Sequence, residues 1–135
     1  MGYKIFLHTN LIIDFIEQRP FDKELLIHLF EFAEKNEIYI FISESVITTA
    51  FYITSNVAQI ERLLKITDVI CIRASEIKLA LNSSFVDKED AMLYYGAIHA
   101  GMDYFITGNE SDFAKHTLKQ LPVLGVKAIS KILSQ

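Results

Sequence analysis

Four short runs along the chain are almost wholly apolar and rich in β-branched and aromatic residues: Tyr3 to Leu7, Glu37 to Ile42, Asp68 to Ile72 and Asp103 to Thr107. A weaker fifth, Pro122 to Gly125, follows near the end. Such runs lack the alternation of a half-solvated sheet and read as parallel strands buried on both faces. Between them apolar positions recur at helical spacing. Leu25, Leu26, Leu29, Phe30 and Ala33 share one face, and Ile60, Leu63 and Leu64 another. Ile77, Ala80 and Leu81 mark a third, and Ala91, Tyr94, Tyr95 and Ile98 a fourth. Strands alternating with helices predict a three-layer α/β/α sandwich, one domain over residues 1–135.

That architecture says where chemistry belongs. Crossover helices run against the strands, so strand ends and helix starts share one edge of the sheet, and ligands bind there where strand order reverses. Polar residues just after a strand are therefore the ones to inspect. His8, Thr9 and Asn10 follow the first strand. Asn10 is placed to cap a helix starting at Leu11, with Asp14 one turn further on the same face. Ser43 and Glu44 follow the second strand as a cap and a first-turn acid. In "FVDKEDAMLYYGAIHAG" Asp87 is the expected N-cap and Gly101 the C-cap, while capping explains Asp90 less well. The fourth strand runs into "FITGNESDF", a Gly-containing turn with Asn109 and Asp112. Asp90 and Asp112 would meet at one mouth, ringed by His8, Asn10 and Asn109, an oxygen-rich set of the kind that holds Mg²⁺ or Mn²⁺. Two metals held in this way stabilise the attacking and leaving oxygens of phosphodiester cleavage.

Composition narrows the partners. Hydrophobic residues make up 51% and charged residues 22%, which favours a folded globular chain over a disordered one. The net charge of −4 supplies no long-range field for nucleic acid, so any binding needs a local cationic patch or metal. Lys88, Lys115 and His116 near the mouth are candidates to meet phosphates, and exposed Tyr52 or Tyr95 to stack on bases, although Tyr95 is better placed for the core. The single cysteine, Cys71 in "DVICI", excludes an internal disulfide and reads as a small core residue. With no signal-like start and no apolar span, a cytoplasmic protein without membrane contact is expected.

Three stretches taken in order carry a resemblance to the PIN domain, the small nuclease fold of bacterial toxin–antitoxin modules. "YKIFLHTNLIIDFI" resembles the family's opening strand, Asp-Thr-Asn and apolar helix. "DKEDAMLYYGAIHAGMDYFIT" resembles the helix that carries a catalytic acid, matched by Asp90. "ITGNESDF" resembles the closing Thr-x-Asp-x-x-Asp-Phe, with Asp112 at its second acid. The resemblance implies a five-stranded parallel sheet, divalent metal ions and RNA as substrate. An antitoxin protein and a homodimeric partner are implied as well. Three departures accompany it: His8 stands at the first aspartate, Asn109 at the acid opening the last motif, and Thr49 near the acid after the second strand.

Two functional readings follow from the resemblance. In one, the chain is a metal-dependent endoribonuclease with weakened or altered metal preference. Asp90 and Asp112 would ligate the metal, Asn10 and Asn109 would position water or phosphate, His8 and Asp14 would assist, and Asp87 would lie outermost. In the other, the missing acids leave a catalytically silent PIN domain that binds RNA or a protein partner. His8 divides them, since a neutral imidazole would ligate Mn²⁺, Zn²⁺ or Fe²⁺. A protonated one would instead pair with Asp90 or Asp112 in the metal's place, or donate to a phosphate oxygen. Other α/β families fit worse. A dehalogenase-type phosphatase needs an aspartate at position 8, a receiver domain a phosphoacceptor where Arg73 and Ala74 stand, and a Rossmann domain a glycine in "LHTN".

Overall fold

The computed structural model of the chain describes residues 2–19 and 23–135. In chain order it contains β1 (Tyr3–Leu7), α1 (Thr9–Ile16), α2 (Lys23–Glu34), β2 (Ile38–Ser43), α3 (Glu44–Ile53) and α4 (Val57–Ile66). There follow β3 (Asp68–Ile70), α5 (Ala74–Leu81), α6 (Lys88–His99), β4 (Tyr104–Ile106), a 3-10 turn at Glu110–Asp112, β5 (Val123–Leu124) and α7 (Val126–Leu133). The sheet has five strands, all parallel, in the order β3-β2-β1-β4-β5.

Alternate side chains of each strand feed opposite faces. Ile5 and Leu7, with Ile38, Ile40, Ile42 and Ile106, join Leu11, Ile12, Leu29, Ile60 and Ile129 on the face covered by α1, α2, α4 and α7. Phe6 and Phe105 point the other way and pack with Phe85, Tyr94, Ala97 and Phe113 under α6. Two cores back to back, with the sheet between them, are the three layers that unbroken apolar strands predict. β1 is central, and the order runs outward from it in both directions, through β2 and β3 on one side and β4 and β5 on the other. The reversal falls between β1 and β4. His8 prolongs that pairing, its amide donating to the Ile106 carbonyl at 2.8 Å.

Asp87 caps α6 as expected, its Oδ1 accepting the Asp90 amide at 3.1 Å. At the other end Gly101 takes φ +79°, a left-handed conformation that lets the Met102 amide fold back to the Ala97 carbonyl. Tyr94 then fastens α6 to the chain before β5: its hydroxyl donates to the Leu121 carbonyl at 2.7 Å and accepts from the Leu118 amide at 2.8 Å.

Three local expectations are corrected. Cys71 is exposed rather than in the core, because β3 is an edge strand that stops at Ile70 and leaves the thiol outside the ladder. Ile77 and Leu81 on α5 are 39% and 65% exposed, so that helix buries Ala80 and Glu76 instead of the whole apolar face; Leu64 on α4 is likewise exposed. Asn10 does not cap α1. The helix begins one residue before Asn10, with His8 in the extended capping position and no side-chain cap bond.

Candidate active site

The carboxyl ends of β1 and β4 bring together a compact polar cluster. His8 leaves β1 with its imidazole between two partners: Nε2 lies 2.8 Å from Asp90 Oδ1, and Nδ1 lies 2.9 Å from Thr107 Oγ1. Thr107 Oγ1 also accepts the Asn109 amide at 3.1 Å. A carboxylate only accepts, so the bond to Asp90 puts a proton on Nε2. The simplest consistent network has the threonine hydroxyl donating to Nδ1 of a neutral ring. The chain of bonds then runs from the Asn109 amide through Thr107 and His8 to Asp90. His8 and Asp90 are only 7% and 8% exposed. A carboxylate this dehydrated is costly unless paired, so the imidazole is part of what keeps Asp90 in place.

Aromatic side chains wall the imidazole. Phe113 meets it edge-on with ring centroids 5.2 Å apart, and Phe105 lies at 5.8 Å. Because Phe113 directly follows Asp112, that contact brings the 3-10 turn to the mouth, where the Asp112 side chain is exposed. Asn10 lies against the same strand-end turn: a Cβ added to Gly108 would meet Asn10 Nδ2 at 3.4 Å and Leu11 Cδ2 at 3.6 Å. The Asn10 Oδ1 is buried with no hydrogen-bond partner among the described residues.

The other sequence candidates have different partners. Asp14 turns to Arg19, 3.1 Å away, and lines a cleft with Phe15 and Leu26 between α1, α2 and α4. Thr49, near the position of a family acid, bonds back to the Ser45 carbonyl in its own helix at 3.1 Å. Ser43 occupies the capping position of α3 without a cap bond, its hydroxyl 2.6 Å from that of Ser45. Glu44 receives the Ile72 amide on both carboxylate oxygens, at 3.0 and 3.1 Å, and so ties the end of β3 to α3. This acid also pushes the Cys71 thiol up in pKa through a hydrogen bond and its charge, with burial adding a little. Thr107 is the residue to which sequence reasoning gave no role. Its signals were its place at the start of the closing motif and a polar side chain ending an otherwise apolar strand.

Whether this set suits a divalent cation follows from its donors. Among the described residues no three His, Cys, Asp or Glu side chains gather as a closed metal site would need. Asp90 Oδ1 is committed to His8, whereas its second oxygen has no partner among the described residues. One such oxygen, with Asp112 on the adjoining turn, fits a hard cation only in the open manner of Mg²⁺, which keeps its waters and completes its shell with substrate phosphate.

Comparison with known proteins bears on the fold that carries these residues. The family model described as PIN domain matches residues 4–111. Ribonuclease VapC1 of Aquifex aeolicus (strain VF5) is 21% identical over 122 residues, covering 82% of this chain and 85% of the relative. Among solved structures, VapBC2 from Rickettsia felis, bound to a DNA fragment from its promoter, superposes with a TM-score of 0.68 at 17% identity. That match covers 90% of this chain and 98% of the other. No helix among the described residues is long and apolar enough to cross a membrane. The strand order and the family match over most of the chain agree, and the chain belongs to the PIN domain family.

Proposed function

We propose that this chain is a toxin-type endoribonuclease that cuts RNA phosphodiesters at the rim between β1 and β4, with a divalent cation shared between protein and substrate. Asp90 is the observation that carries the reading. A nearly buried carboxylate, held at a strand-order reversal with one oxygen unbonded, is costly to keep for structure alone. Asp90 and Asp112 would hold the cation, which when bound would polarise the phosphate and activate water. His8 keeps a proton on Nε2 beside the cleavage position, Thr107 fixes the ring, and Asn109 precedes the turn that presents Asp112, its carbonyl accepting the Asp112 amide at 3.1 Å. By likeness to the toxin members of the family, an antitoxin protein and a second copy of the chain are the proposed partners, in the cytoplasm.

The test is cutting of labelled single-stranded RNA by purified protein in Mn²⁺ or Mg²⁺. Asp90→Asn keeps an acceptor for His8 but removes the charge, and cutting is expected to vanish. Equal cutting by the variant would overturn the assignment.

The 2.8 Å bond from His8 to Asp90 favours a second reading, in which the imidazole occupies the metal's place and the domain binds RNA without cutting it. His8→Asp separates the two. A parent protein that neither cuts nor binds Mn²⁺ by calorimetry, with both gained in the variant, supports the silent reading. Activity in the parent with no gain in the variant removes it.

A further inference from the structure

An overall charge of −4 means that RNA must be gripped locally, and one place beside Asp90 is built for this. The loop that enters α6 folds against the segment after Phe113. His116 stacks on Phe85 with ring centroids 4.3 Å apart and planes 26° from parallel. Its Nδ1 lies 2.7 Å from Ser84 Oγ. With the serine hydroxyl donating, the ring carries its proton on Nε2, an N–H with no partner among the described residues. At the neighbouring serine, Ser83, the carbonyl accepts from Lys88 Nζ at 2.9 Å, so an ammonium and an imidazole N–H are held around the same two-serine turn. Between Ser84 and Lys88 in sequence, Val86 is 96% exposed, an apolar side chain with nothing covering it among the described residues.

The aromatic packing links this loop to the cluster at β1. Phe85 contacts Phe113 at 5.7 Å, and Phe113 contacts His8 at 5.2 Å. Asp87, the next residue after Val86, caps the helix turn that carries Asp90. An ammonium, an imidazole N–H and an exposed apolar side chain therefore stand on the frame that positions Asp90. Neither donor is spent in an ion pair with Asp87, Glu89 or Asp112, the acids closest in sequence.

We propose that the Ser83–Lys88 loop and His116 form a nucleotide subsite flanking Asp90, in which His116 and Lys88 hold an RNA phosphate and Val86 lies against the adjoining base or ribose. The subsite rests on the RNA reading above and specifies where the strand is held.

The probe is fluorescein-labelled single-stranded RNA of mixed sequence, with binding followed by anisotropy in EDTA so that cutting plays no part. Lys88→Gln is expected to weaken binding and to reduce the slope of log affinity against log salt by about 0.7, the value for one lost phosphate contact on a single strand. His116→Ala and Val86→Asp are each expected to cost about fivefold or more, as for loss of a contacted nucleotide. Val86 is so exposed that its variant tests the subsite without endangering the fold. Lys131→Gln on α7, which removes the same charge elsewhere, is expected to leave affinity unchanged. Wild-type binding with Val86→Asp and Lys88→Gln both unaffected would overturn the subsite and leave the RNA reading standing. A wild-type protein that neither binds the probe in EDTA nor cuts it once Mn²⁺ is restored would overturn both.

Discussion

At the scale of single residues, the site depends on a partnership that no local pattern encodes. His8 and Asp90 are 82 positions apart, and His8 and Thr107 are 99 apart. A histidine where related chains are expected to carry aspartate is legible in the sequence as a departure. Its consequence is not, because the identity of the ring's partners depends on which strand lies beside β1. Asn10 shows the reverse failure. Its residue type suits a cap, but the backbone turns into helix one residue earlier, leaving Oδ1 buried and unpartnered. Thr107 makes the testable case. Thr107→Val keeps the shape and removes the hydroxyl that serves both His8 Nδ1 and the Asn109 amide. Leaving the buried His8 Nδ1 and the part-buried Asn109 amide without their partner is expected to cost about 1–3 kcal/mol. Urea unfolding would measure that cost, and a changed pattern of RNA cutting or binding would accompany it if the ring is released from its orientation.

At the scale of elements, the strands were readable because burial on both faces removes any polar alternation, and the five runs found this way coincide with β1 to β5 to within two residues at each end. Helices at the edge were less readable. α5 carries an apolar face in sequence, yet Ile77 and Leu81 are exposed, because beside the edge strand β3 the helix has too little sheet to cover. The end of α6 was the clearest signal of all. Gly101 has φ +79°, and a Cβ there would meet nothing within 4 Å, so a substitution tests backbone conformation free of any clash. Gly101→Ala is expected to destabilise the protein by about 1–2 kcal/mol, the cost of a left-handed L-residue. A lower urea midpoint with an unchanged slope would show it. An unaltered midpoint would mean that the turn relaxes to another form.

At the scale of the whole molecule, fold class and family were open to sequence reasoning, while the electrostatic organisation away from the site was not. Glu76 is the clearest example. Burial alone would raise its pKa, but hydrogen bonds from Ser75, His99 and Arg73 outweigh this and hold it at about 2, against an ordinary value of 4.5. The unfolded chain therefore takes up this proton before the folded one does. The contribution of Glu76 to stability is complete above pH 4.5 and is lost as the pH falls toward about 2. Urea titrations across that window are expected to show a steeper loss of stability in the parent than in Glu76→Gln, which has no proton to gain. Parallel curves would show that Glu76 does not couple folding to acid.

The central position of β1 also has a temporal consequence. A ribosome delivers residues in order at about 5–20 per second, and β2 is the first of the two neighbours of β1 to be made, with β3 adding beyond β2. The other edge of β1 stays open until β4 arrives, close to a hundred residues later, with Thr107 just behind it. A toxin built on this plan would be chemically idle for most of its own synthesis, since the last partner of its histidine is among the last parts to be made. The same delay leaves a bare strand edge in the nascent chain, the interval in which a chaperone or an antidote protein would find it most receptive.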